Sequence, residues 1–176
     1  ERLGLMPGLD RLILESLASA EREKETSTKL CVNLSIVSVK TSGFLRWLDN
    51  FLASQRRLAA KLVFEVPEYA MKANGAALRT FSQLLQKHGT SLGIDHFGLE
   101  SAAFGYLSSL PLNHLKVHRS FLRELDTNLD NQFYIKSLAG LAHNSGLQLW
   151  VEGVENEQEW GQLAELDVVI FWARQP

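Results

Sequence analysis

The sequence predicts an α/β protein built as a (β/α) barrel. Three observations carry that expectation. Six short apolar, β-branched runs recur along the 176 residues, amphipathic helical patterns fall between most of them, and polar residues gather at the carboxyl ends of several runs. Several runs are continuously apolar rather than alternating, as in parallel strands covered on both faces.

The first segment, "GLDRLILESLASAE" (8–21), reads as a helix. Strands are expected at "KLCVNLS" (29–35), "KLVFEV" (61–66), "SLGIDHF" (91–97), "HLKVH" (114–118), "LQLWVEG" (147–153) and "DVVIFW" (167–172). After the first strand, Phe44, Trp47, Leu48, Phe51 and Leu52 recur at helical spacing and mark one apolar stripe. Ala77, Phe81, Leu84 and Leu85 repeat the pattern ahead of "KHG", where Gly89 suits a left-handed helix end. Tyr134, Leu138 and Leu141 form a third stripe. Asn156, with Glu159 three residues on, has the spacing of a capping box for a last helix carrying Trp160, Leu163 and Ala164. The length suits one domain, 1–176. A doubly wound open sheet is the other arrangement such units allow, but strand-end polar residues favour the barrel, whose active sites lie at that edge.

Composition narrows the function. The formal net charge is −2, and the short basic clusters, Arg56-Arg57 and Arg119 with Arg123, make no stripe. Direct nucleic-acid binding through phosphate contacts is therefore not expected. The single cysteine, Cys31, excludes a disulfide within the chain and fits a reducing, cytoplasmic setting; it is expected to be a small buried hydrophobe. No apolar run approaches the roughly 18 residues of a membrane span. No glycine-rich phosphate loop follows any strand, so a dinucleotide-binding reading has no support.

Asn33, Glu65, Asp95 and Glu152 are hard oxygen donors at strand ends, of the kind that gathers Mg²⁺ or Mn²⁺. Lys116 adds a cation that could stabilise developing negative charge. An acid at a strand end is more often just a solvated loop residue. Five polar residues at five matching ends are harder to dismiss in that way.

The order "VNLS", "LVFEVPE", "GIDHFG", "LPLNHLKVHRSF", "VEGVE" resembles the EAL family of bacterial cyclic-di-GMP phosphodiesterases, from about Leu3 onward. The resemblance implies a TIM-like barrel of the EAL type, incomplete at the N-terminus, because the family's first strand and its Glu lie upstream of the opening helix. It implies that Asn33, Glu65, Asp95 and Glu152 match metal ligands or metal-site acids, and that Lys116 matches the family lysine. It also implies that Glu68 holds the substrate-binding loop. Several departures accumulate. His96 and His118 stand where the family has Asp, the loop after "GIDHFG" reads "LESAA", and the terminal Q-G-Y/F turn has no counterpart in "LAELDVVIFWARQP".

Two-metal hydrolysis needs carboxylates bridging two divalent ions. Losing two of them suggests a vestigial site of Asn33, Glu65, Asp95, His96, Lys116, His118 and Glu152, with no catalytic residue, no metal and no cofactor. Imidazole ligates Zn²⁺ or Mn²⁺, so a rewired Asp95-His96-His118 metal site is the competing reading.

The departures resemble those of a degenerate subfamily, the carbon-storage-regulator small-RNA decay factors (CsrD/MshH). The matching features are Lys116-Val117-His118, Asn131-Gln132, Glu159-Trp160 and the terminal Arg174-Gln175-Pro176. That resemblance implies an inactive module that docks a protein, the unphosphorylated glucose-specific enzyme IIA of the phosphotransferase system, and so promotes RNase E-dependent decay of small RNAs. It implies a full-length protein anchored at the cytoplasmic face of the inner membrane, with a degenerate GGDEF domain upstream. Binding of cyclic-di-GMP without turnover is the alternative, and phosphodiesterase activity with an altered metal site is a third. Trp47 and Trp160 are candidate docking aromatics, although each sits in an apolar stripe and is expected to pack in the core.

Overall fold

The computed structural model describes residues 4–21, 28–100, 105, 107, 110–154, 156–166 and 168–171. The chain forms two compact units. One comprises residues 1–66 and 70–92, the other residues 67–69 and 93–176.

In the first unit, α1 (Met6–Glu21) precedes β1 (Leu30–Asn33), α2 (Ile36–Lys40), α3 (Ser42–Ser54), α4 (Arg56–Ala59), β2 (Leu62–Pro67) and α5 (Ala70–Lys87). β1 and β2 pair in parallel, with Leu30 opposite Leu62 and Asn33 opposite Glu65. The core here is Leu14, Phe44, Leu48, Leu52, Phe64, Phe81 and Leu85, all fully buried, with the Phe64 and Phe81 rings meeting edge to face. The α3 stripe is as expected at Phe44, Leu48 and Leu52, while Trp47 is half-buried. It stacks on Phe51 and lies under the Arg11 guanidinium. Gly89 ends α5 as anticipated: its φ is +67°, and Thr90 N–H returns to the Leu85 carbonyl at 3.0 Å. Asp10 of α1 is buried because it serves the turn after β1, accepting from Ser38 Oγ at 2.5 Å and from the Ser35 amide at 3.3 Å.

One expectation fails in this unit. Along β1, Val32 is buried, whereas Cys31 and Asn33 are exposed. Cys31 is therefore not a core residue. A four-residue strand turns alternate side chains to opposite faces, and composition alone does not say which face is covered.

The second unit carries β3 (Ser91–Phe97, from Gly93 onward), β4 (His114–Val117), a 3₁₀ turn (Arg119–Phe121), α6 (Leu129–Asn144), β5 (Gln148–Glu152), α7 (Glu157–Ala164) and β6 (Val168–Phe171). β3 through β6 pair in parallel, each with the next. β4 is buried on both faces although it reads His-Leu-Lys-Val, so the polar His114 and Lys116 are covered as well as Leu115 and Val117. Asn156 caps α7, accepting from the Glu159 amide at 2.8 Å. The buried side of α6 is Ile135, Leu138 and Ala142, one position off the expected stripe, with Tyr134 and Leu141 half-buried. On α7 only Glu159 and Leu163 are buried. Trp160 is 40% exposed, contrary to the core placement expected for it. Among the described residues no helix is long and apolar enough to cross a membrane.

Candidate functional site

The ladder between β3 and β4 breaks where the candidate residues lie. Ile94 pairs with Leu115 and Phe97 with Val117, so Asp95 and His96 together oppose Lys116. This is a bulge, and His96 occupies its left-handed position with φ +57°. A non-glycine residue there costs on the order of 1 kcal/mol, although imidazole is among the side chains that tolerate it. The bulge turns His96 outward, where its side chain is 54% exposed, and leaves Asp95 buried.

Asp95 accepts from the His96 amide at 2.8 Å, and its carboxylate meets Lys116 Nζ at 3.2 Å. The same ammonium lies 3.7 Å from Glu152 at the end of β5. Lys116 is itself buried, so it holds its charge beside a carboxylate rather than in water. The His96 Nε2 is 3.6 Å from Asp95, and the His96 and His118 rings meet at 78° with centroids 5.3 Å apart. His118 caps the 3₁₀ turn, its Nδ1 accepting from the Ser120 amide at 3.2 Å and facing Ser120 Oγ at 2.8 Å. Partial burial holds the His118 pKa below its usual value, and the neighbouring His96, Arg119 and Arg123 act in the same sense against Asp95.

Beside this cluster the buried Glu68 accepts from the amides of Gly98 at 2.9 Å and Glu100 at 3.1 Å. Tyr134 of α6 donates to the Gly98 carbonyl at 2.8 Å while its ring stacks on Phe121. Burial and then the Glu68 charge raise the Tyr134 pKa. The helical spacing places Tyr134 in an apolar stripe, and its hydroxyl is the sequence signal for this second role, since a partly buried phenol needs a partner.

The structure thus brings Asp95, Lys116 and Glu152 together, sets His96 against His118, and has Glu68, which follows β2, hold the loop after β3 through the Gly98 and Glu100 amides. Asn33 and Glu65 face each other across β1 and β2 in the first unit. The "LESAA" loop beyond Glu100 and the closing "WARQP" lie outside the described residues. Among the described residues no group of three or more His, Cys, Asp or Glu side chains is arranged to hold a metal ion. In the second unit, His96 and His118 replace two carboxylates, so the donor set there does not fit the hard divalent ions that the family resemblance implies.

Parallel strands alternating with helices, and polar residues at the strands' carboxyl ends, define the class as a TIM-like α/β domain. The chain belongs to the EAL domain family, whose model matches residues 1–171. It is 28% identical over 158 residues to the cyclic di-GMP phosphodiesterase PdeF of Escherichia coli, covering 88% of this chain and 21% of that one. Among solved structures, it is similar to the PaMucR phosphodiesterase in complex with cyclic-di-GMP, with a TM-score of 0.87 and 27% identity over 97% of this chain and 76% of that one. The FimX EAL domain from Pseudomonas aeruginosa bound to cyclic-di-GMP gives a TM-score of 0.86 and 27% identity, over 96% and 69% of the two chains. The chain spans about a quarter of the length of the first curated relatives it matches. It is a domain of cyclic-di-GMP-related signalling type.

Proposed function

We propose that this EAL domain is catalytically inactive and serves as a regulatory docking module. Its proposed partner is unphosphorylated glucose-specific enzyme IIA, and the process is RNase E-dependent decay of carbon-storage-regulator small RNAs. The observation that supports inactivity is the pair of imidazoles, His96 and His118, standing at two positions where the family has Asp, with ring centroids 5.3 Å apart. In-line attack on a phosphodiester needs carboxylates free to bridge two cations. Here two of those positions hold imidazoles. The docking partner rests on the subfamily resemblance of "KVH", Asn131-Gln132 and Glu159-Trp160. Exposed Trp160 fits a surface role.

A second reading is an inactive effector that still binds cyclic-di-GMP. It is favoured by retention of Lys116, Glu65 and Glu152, and by two solved relatives that hold that nucleotide. Calorimetric titration with cyclic-di-GMP, with and without Mn²⁺, paired with a product assay, separates the readings. The docking reading expects neither binding nor turnover, together with co-purification of enzyme IIA in its unphosphorylated form. Tight binding without product supports the effector, and measurable hydrolysis defeats both.

A further inference from the structure

In the first unit, the ends of three helices border a surface depression of about 480 Å³, lined by Leu52, Ala53, Arg56, Lys87 and His88. Leu52 and Ala53 lie in the last turn of α3, Arg56 opens α4, Lys87 closes α5 and His88 follows it. Because α4 leads into β2, the depression lies at the amino end of that strand, whereas Asn33 and Glu65 stand toward the carboxyl ends of β1 and β2.

Asp49 accepts from Lys87 Nζ through both oxygens, at 2.8 and 2.9 Å, and lies 2.6 Å from His88 Nε2. Lys87 thus has a structural use, since a positive charge in the last turn of α5 also offsets the carbonyls there. Arg56 has no use of that kind. It is exposed, it opens a helix of four residues, and among the described residues its guanidinium makes no hydrogen bond or ion pair. His88 is held in place: its side chain is only 9% exposed, and with Nε2 on Asp49 its other ring nitrogen, Nδ1, has no partner among the described residues.

We propose that this depression binds a small organic carboxylate with an apolar body. Arg56 supplies a planar fork that matches a pair of carboxylate oxygens. Leu52 and Ala53 supply an apolar floor, and the volume falls within the range of small-molecule sites. The charge selects a monoanion. Arg56 and Lys87 set against Asp49 leave a single positive charge, and a phosphate dianion would meet repulsion from the Asp49 carboxylate. This site is independent of both readings above.

Heteronuclear NMR titration of the isotope-labelled chain with sodium hexanoate tests this, with acetate and inorganic phosphate alongside. The expected result is a saturable shift of the Ala53, Arg56 and His88 amides, with a Kd of about 1–10 mM for a ligand of so few atoms. Acetate, which lacks the apolar body, should bind about tenfold more weakly, and phosphate more weakly than hexanoate. Arg56→Gln should weaken hexanoate about tenfold. Arg57→Gln removes the same charge one residue away, outside the lining, and should weaken it less than about twofold. Both arginines are exposed, and amide spectra unchanged away from the depression confirm that the variants fold. No saturable shift up to about 50 mM hexanoate overturns the proposal. So does equal weakening by the two arginine variants, acetate binding as well as hexanoate, or phosphate binding at least as tightly.

Discussion

At Gly93 a β-carbon would stand 1.9 Å from the His114 ring. That ring is fully buried and stacked on Trp150 at 3.6 Å, so it has little room to retreat. Gly93→Ala is expected to destabilise the chain by about 2–3 kcal/mol, the upper range for overpacking. Gly140, in the interior of α6, has nothing within 4 Å of a built β-carbon. Gly140→Ala should be neutral or stabilise by up to about 1 kcal/mol through helix propensity. Urea denaturation of the two variants checks both signs, and equal effects would refute the packing argument. Neither outcome was legible in the sequence, where the two glycines look alike: what separates them is a ring supplied by a strand twenty-one residues away.

Between elements, the end of α5 is tied to α3 through Asp49. Its carboxylate accepts from Lys87 Nζ at 2.8 Å and lies 2.6 Å from His88 Nε2. The Lys87 bond, then the His88 bond, hold the Asp49 pKa below its ordinary 3.8. A carboxylate depressed on folding contributes stability above its unfolded pKa and loses it as pH falls through the folded value. Asp49→Asn should therefore lower stability at neutral pH, by less than about 1 kcal/mol for so exposed a pair, and the difference should shrink as pH falls below the ordinary 3.8. Chemical denaturation at several pH values reads it; a deficit that persists in acid would mean that Asp49 acts otherwise.

The elements themselves were largely legible, because strand runs, the Gly89 terminus and the Asn156 cap depend on neighbours in sequence. Burial was less so. Cys31, Trp160 and the face of α6 depend on which neighbour covers them, which periodicity does not encode. The candidate site divides in the same way. Residue types at strand ends were readable, whereas the bulge at Asp95-His96 and the hold of Tyr134 on Gly98 follow from register and packing.

For the molecule as a whole, the consequence of the site is thermodynamic. A folded state that binds a divalent ion gains stability with ion concentration, by RT ln(1 + [L]/Kd). With imidazoles at His96 and His118 in place of two carboxylates, no such gain is expected. The thermal midpoint should move by less than about 1 °C between a chelator and millimolar Mn²⁺, as it would for a ligand far below its Kd. Differential scanning calorimetry measures this, and a rise of several degrees would restore a metal to the pocket.

Lys116 then has one more meaning. It is a counter-ion attached to the chain by a covalent bond, supplied at synthesis. A dissolved cation can be dialysed away, exchanged for another element or withheld by a starved cell; this one cannot. The charge of Asp95 is thereby balanced by a cation that the gene itself encodes.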